Sequence, residues 1–267
     1  MIKNPKFFRG AARVNDQAVL TVPCGKCAEC LLRKRNEWLF RIQAEVFHSA
    51  LPSYFVTFTY SDEFLPSGGV SIKDLQNFFK RLRFVYSKFK YYAVAEYGGR
   101  FQRPHYHVIL INYPESALSK LQEKWSKGFV YVGSVEQASI KYVAAHHSIP
   151  LDELTPEGSN RAFRIVSKGL GLSYLTPSIK QYFEDIKVPV ATIEGGVKVP
   201  LPRYLKNKLG DVDWLSTEQD LREDFDVFSK GKNLPLQLII QDYNSVLDVT
   251  NKRCRERLIS AKKHLLI

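Results

Sequence analysis

The sequence predicts an α+β domain built on a ferredoxin-like antiparallel sheet, and three observations carry that prediction. Strand and helix patterns follow one another as β-α-β-β-α-β between residues 53 and 135. The two middle strand patterns adjoin across a short glycine-containing loop, the mark of an antiparallel pair. The intervening helix patterns are amphipathic and suited to cover one sheet face, as in RRM-like sheets. The other face is then free to hold a site.

Each element has its own local signal. "SYFVTFTYSDEFLP" (53–66) alternates Tyr, Phe, Val and Thr before a turn and reads as a strand. "SIKDLQNFFKRLRFVY" (71–86) opens with Ser71 and Asp74 in capping-box spacing, and Ile72, Leu75, Phe78, Phe79 and Leu82 form a helical stripe. "YYAVAEY" (91–97) and "HYHVILI" (105–111) are strands flanking the loop "GGRFQRP". A helix is expected between Pro114 and Gly128, a strand at "FVYVGSV" (129–135) and a helix at "EQASIKYVAAHHS" (136–148).

Flanking segments differ in character. "CGKCAECLLRKRNEWLFRIQAEVFHSA" (24–50) places Leu31, Trp38, Ile42 and Val46 at helical spacing behind a cysteine cluster, with Arg33, Lys34 and Arg35 near the helix start. After residue 150 come a polar loop, a short strand leading into the glycine-rich "KGLGL", and a hairpin around Gly195–Gly196. The last segment, "SVLDVTNKRCRERLISAKKHLLI" (245–267), reads as an amphipathic helix. The division expected is a Cys-rich segment and basic helix at 1–50, a core at 51–180 and an accessory hairpin and helices at 181–267. The paired glycines are too weak a signal for a nucleotide-binding loop.

Side chains two apart on a strand share a face, so His105 and His107 project together and Tyr106 opposes them. If the hairpin pairs Glu96 with His105, two imidazoles and a carboxylate meet on the open face. That set suits a divalent metal with vacant positions, Mg2+ or Mn2+ fitting mixed oxygen and nitrogen donors and Zn2+ being an alternative. The plainer reading is a hydrogen-bonded or solvated His pair. On the next helix Tyr142 and His146 are four apart and share a face. A tyrosine hydroxyl there can attack a metal-polarised phosphorus, with Lys141 or His146 balancing charge or moving protons. Simple packing is the competing account of Tyr142.

Composition points to a polyanionic partner. The formal net charge is +12, and 14 tyrosines suit stacking as well as packing. Arg100, Arg103, Thr57 and Thr59 are candidates to touch DNA, Arg103 because it lies beside His105. No long apolar run predicts a membrane span, and no secretory start is visible, so a cytoplasmic place is expected. Cys24, Cys27 and Cys30 repeat at x2 spacing. They suit zinc if Cys254, His48 or a histidine at 146–147 joins them, an iron–sulfur cluster being the alternative and three reduced thiols the plain reading.

These motifs, taken in order, resemble rolling-circle replication initiators of the HUH endonuclease superfamily, and more narrowly those of gokushovirus-like microviruses, phages with circular single-stranded DNA. "FVTFTY" (55–60), "AEYGGRFQRPHYHVIL" (95–110) and "SIKYVAAH" (139–146) resemble the family's first, metal and nucleophile motifs. "VPCGKCAECLLRKRNEW", "FRIVSKGLGLSYL" and "LPRYLKNKLG" resemble its flanking segments. The resemblance implies Glu96, His105 and His107 as metal ligands and Tyr142 as the residue that cuts DNA and keeps its 5′ phosphate. It further implies origin DNA as substrate, a host helicase and DNA polymerase as partners, and the cytoplasm of a bacterial host. Where some relatives carry a second tyrosine or a lysine, this chain has Ala145 and His146, which departs from a two-tyrosine cycle. A plasmid initiator, relaxase or transposase would share the chemistry; a non-catalytic single-strand-binding module on the same sheet is the rival from another class.

Overall fold

Alternating apolar residues in the strands and apolar stripes in the helices assemble a central sheet packed on both sides. The computed structural model describes residues 13–14, 17–18, 25, 27–99, 101–192 and 198–214. Its principal elements are α1 (Ala28–Phe47), β1 (Tyr54–Thr59), α2 (Ile72–Arg83), β2 (Lys90–Tyr97), β3 (Pro104–Ile111), α3 (Ser119–Trp125), β4 (Val130–Ser134), α4 (Gln137–Ala145) and β5 (Phe163–Val166). Beyond them lie α5 (Pro177–Ile186), a hairpin of β6 (Val190–Thr192) and β7 (Lys198–Pro200), and α6 (Arg203–Lys206). The five-stranded sheet has the order β4-β1-β3-β2-β5 with every pair antiparallel. Its first four strands reproduce the ferredoxin-like arrangement, and β5 adds an edge to it. The tip of the β6–β7 hairpin at Gly195–Gly196 and the helix expected at 245–267 lie outside the described residues.

One face of the sheet carries Val56, Phe58, Ala93, Ala95, Tyr106 and Val108, which pack against Leu75, Phe78, Phe79 and Leu82 of α2 and Leu121 and Trp125 of α3. Ser71 caps α2 as its spacing predicted, its hydroxyl accepting from the Asp74 amide at 3.3 Å. The second face is not wholly open. Tyr92, Val94, Ile109 and Ile111 are covered by Ile42 of α1 and by Ile140 and Val143 of α4. The unbroken run Val108–Ile111 is buried on both faces of β3 and requires this second cover. The cover stops short of the strand ends that carry Glu96, His105 and His107.

Helix α1 also explains the glycine-rich turn after β5. Arg41 donates from Nε to Leu170 O at 3.0 Å, and its guanidinium lies 3.9 Å from the Trp38 ring centroid and 4.0 Å from that of Tyr204. Glu45, buried, takes the Gly171 amide at 2.6 Å on one oxygen and Lys90 Nζ at 2.7 Å on the other. Gly171 has a φ of +88°, and a Cβ there would lie 2.9 Å from Arg41 Cβ, so the turn needs glycine to dock this closely. The glycines seat the turn on a helix.

Glu45→Ala removes one partner of this part-buried pair and leaves the Lys90 charge and the Gly171 amide without it. The expected loss is on the order of 2–3 kcal/mol, below that of a dry pair because Lys90 keeps some solvent contact. A urea denaturation midpoint lowered at unchanged slope would show it; an unchanged midpoint would mean the clamp contributes nothing.

Candidate metal centre

The β2–β3 hairpin sets the site. Its loop closes with the Gly98 amide donating to Arg103 O at 3.0 Å and the Gln102 amide to Gly98 O at 2.9 Å. This register places Glu96 directly opposite His105, with Val94 opposite His107. Four groups converge on the Glu96 carboxylate, which is only 6% exposed. Its Oε1 lies 3.0 Å from His105 Nε2, 2.9 Å from His107 Nε2 and 2.6 Å from the donating Tyr142 hydroxyl. Its Oε2 lies 2.8 Å from His146 Nε2. One ligand atom from each of Glu96, His105 and His107 falls within 4.8 Å of the others.

The far side of each strand imidazole is held. His105 Nδ1 donates to the Arg103 carbonyl at 3.1 Å, which leaves Nε2 of the neutral ring as a lone pair directed at the cluster. His107 Nδ1 meets the Thr57 hydroxyl at 2.9 Å, and its ring stacks on Phe55 at 5.1 Å. Partners of this kind fix tautomer and orientation in metal sites. His146 is different: its Nε2 is close to Glu96 but off the line of an N–H bond, so this buried nitrogen lacks a hydrogen bond. An unsatisfied buried nitrogen, facing a carboxylate oxygen beside two oriented imidazoles, is what a cation would satisfy. The residues present therefore fit a divalent ion, with His146 as a fourth donor.

Charge in the cluster is strongly coupled. Burial acts to raise the Glu96 pKa, but the imidazoles of His105, His107 and His146 outweigh it and hold the carboxyl well below the usual range. Burial acts to lower the His105 pKa, and Glu96 outweighs it, leaving the ring more basic than usual. Protons and a cation thus compete for the same nitrogens.

Tyr142 stands on α4, whose first turn is closed by a reciprocal Glu136–Ser139 cap. It is 37% exposed, and its ring meets those of His107 and His146 edge-on at 5.3 and 5.6 Å. Burial and the neighbouring Glu96 push its hydroxyl pKa above the ordinary value. The turn after α4 is anchored by Arg164, whose Nη2 donates to the carbonyls of His146 and Ile149. His147 plugs the interior: its Nε2 lies 2.6 Å from Tyr92 Oη and its ring stacks on Trp38 at 5.4 Å. Burial, then the charge of Arg164, pushes its pKa down to about 2, so the ring is neutral.

The remaining candidates fall in varied places. Lys141 is exposed, while the ion pairs and hydrogen bonds of Glu96 run to the three histidines and Tyr142. Arg103 reaches Asp62 at 2.6 Å and Tyr60 O at 2.9 Å and lines a shallow depression with Thr59, Phe101 and His105. Thr57 serves His107, and the Thr59 hydroxyl donates to Phe129 O at 3.4 Å. Arg100 and Cys24 lie outside the described residues. Cys27 caps α1 and Cys30 sits in its first turn, both half-buried. The histidines considered as a fourth ligand for the cysteines are engaged elsewhere: His146 at Glu96, His147 at Tyr92, and His48 at Ala44 O, 2.8 Å away.

Sequence reasoning did not assign Thr57, Arg164 or the carboxylate-facing nitrogen of His146 to the centre. Thr57 was legible in principle, because the ferredoxin-like order makes β1 the neighbour of β3. Thr57→Val keeps the side-chain shape but removes the partner of His107 Nδ1. A loss of about 10- to 100-fold in Mn2+ affinity, with an unchanged circular dichroism spectrum, is the outcome expected by titration calorimetry. Equal affinity would show that Thr57 does not orient the ring.

Comparison with known proteins places this geometry in context. Residues 53–148 match the model of the Replication-associated protein ORF2 family. Replication-associated protein ORF2 of Spiroplasma virus 4 is 29% identical over 230 residues, 73% of this chain and 68% of that protein. Replication-associated protein ORF4 of Chlamydia phage 1 is 26% identical over 218 residues, 70% of this chain and 53% of that protein. Replication-associated protein VP4 of Bdellovibrio phage phiMH2K is 26% identical over 220 residues, 71% of this chain and 68% of that protein. No solved structure is a significant match. The family match begins just before β1 and ends in the turn after α4, so it encloses Thr57, Glu96, His105, His107, Tyr142 and His146. Residues 53–148 of this chain belong to the Replication-associated protein ORF2 family.

Proposed function

We propose that the chain is a metal-dependent, site-specific single-strand DNA endonuclease and ligase that initiates and terminates rolling-circle replication. The observation that carries this reading is the Tyr142 hydroxyl, 2.6 Å from a carboxylate on which three imidazole nitrogens converge. A divalent ion held by Glu96, His105, His107 and His146 supplies positive charge to a scissile phosphate. Mn2+ suits this nitrogen-rich set better than Mg2+, which favours oxygen donors.

The chain's own residues then divide the work. Glu96 aims the Tyr142 hydroxyl, and Thr57 and the Arg103 carbonyl keep both strand imidazoles turned inward. Tyr142 Oη attacks phosphorus and the bond to the 3′ oxygen breaks. Tyrosine loses its proton and keeps the 5′ phosphate, while the 3′ oxygen gains a proton and leaves as a hydroxyl. A later 3′ hydroxyl attacks the phosphotyrosine, re-forms the phosphodiester and frees Tyr142. Helix α4 bears one tyrosine, so Tyr142 serves both steps on a given strand. Lys141, exposed beside it, and Arg103 meet backbone phosphates.

Origin DNA is the substrate on this reading, with a host helicase to separate strands and a host polymerase to extend the 3′ end in the bacterial cytoplasm. Among the described residues no helix is long and apolar enough to cross a membrane. The three phage replication-associated relatives favour this role over a plasmid initiator, relaxase or transposase. Zn2+ on Cys24, Cys27 and Cys30 is a separate part of the proposal, read by metal analysis of Cys27→Ser against wild type.

The test is a covalent-adduct assay on labelled single-stranded DNA from the chain's own replicon with Mn2+ or Mg2+. A shifted band on a denaturing gel, absent in Tyr142→Phe and His105→Ala, is expected. A band that survives in Tyr142→Phe assigns the nucleophile elsewhere. Tight DNA binding with no band under either metal would leave a binding module.

A further inference from the structure

The open end of the site face presents its side chains in rows. Thr57 and Thr59 of β1 stand opposite His107 and His105 of β3. On the other flank of β1 the edge strand β4 places Tyr131 opposite Thr57. Phe129 continues that register, since the Thr59 amide donates to Phe129 O at 3.0 Å. Both aromatics are largely bare, Phe129 being 73% and Tyr131 68% exposed. Position 133, next on the same face, is glycine, and a Cβ there would lie 3.4 Å from Tyr131 Cε1. The tyrosine ring thus leans along the strand over bare backbone.

Single exposed aromatics on a surface are ordinary and need no account. Two in one row, aligned with the row that ends in metal-centre histidines, are a different matter. Only the small threonines stand between. Two inter-strand steps separate His107 from Tyr131, about 10 Å. That distance keeps the rings within reach of bases close to a phosphate held at the centre.

We propose that Phe129 and Tyr131 form a stacking shelf for unpaired bases of the DNA strand leading away from the nick, an assignment that rests on reading the centre as a nicking site. Every base has an apolar face, so such a shelf is indifferent to sequence. In a duplex those faces are already stacked, so the shelf selects single strands. The net charge of +12 provides attraction to the phosphates and the shelf adds a contact to the bases.

The test uses the full chain in EDTA with a fluorescein-labelled oligodeoxythymidine and an abasic oligomer of equal length. Phe129→Ala and Tyr131→Ala each weaken binding of the oligodeoxythymidine about tenfold, while the abasic oligomer binds all three proteins alike. Phe129→Tyr and Tyr131→Phe, which keep the ring, restore wild-type binding. Both side chains are exposed, and circular dichroism confirms that the variants fold. Variants that bind both oligomers as wild type does, or lose both equally, overturn the shelf, as does a wild type that ignores the oligodeoxythymidine. Self-association seen by sedimentation and lost in the variants would give the surface to a second copy and also overturn it. The adduct assay separates the two proposals. A Tyr142-dependent adduct with normal binding by the variants removes the shelf alone; base-dependent binding without any adduct removes the nicking reading alone.

Discussion

A buried carboxylate governs this molecule. Glu96 is withdrawn from water at the end of β2, and an ionised carboxylate there is tolerated only with positive charge or donors around it. His105, His107, His146 and the Tyr142 hydroxyl meet that need from three elements. The same demand explains why the groups are held from behind, by Thr57, by the Arg103 carbonyl and by the grip of Arg164 on the turn after α4. A cluster this dense in like donors is a place for a cation when one is present and a proton-shared ion pair when none is.

The way helices cover the sheet decides where chemistry can happen. α2 and α3 seal one face, while α1 and α4 seal only part of the other. α4 therefore has two duties. Ile140 and Val143 anchor it in the core, and Tyr142 projects from it over the uncovered end. α1 reaches from that core to a second one, where Phe40 and Ala44 join Phe183, Ala191, Leu201 and Leu205. The segments after β5 are thereby tied to the helix that backs the site, through Arg41 and Glu45 as well as through apolar contact.

The division of polar labour across the sheet is equally clear. Tyr106, between the two site histidines in the chain, points to the sealed face and joins Tyr60 and the Ser71 backbone at the start of α2. One residue later the strand faces a metal centre, because the pleat alternates. Two neighbouring residues thus serve a helix cap and a functional site without competing.

Much of this was legible in the residues themselves. Period-two alternation in "HYHVILI" and the short loop before it were enough to place His105, His107 and Glu96 together, because hairpin register and pleat are local properties. Ser71 as a cap and the βαββαβ order are local in the same sense. Tertiary structure alone decided the rest. His146 stood four residues from Tyr142, yet its approach to Glu96 depends on how α4 docks across the sheet and how Arg164 holds the following turn. Thr57 became the partner of His107, and Arg103 was drawn to Asp62, through contacts between residues far apart in the chain. The glycines of "KGLG" acquired their reason only from α1, which packs against them. Spacing determines which side chains share a face, whereas which faces meet is set by the packing of the whole core.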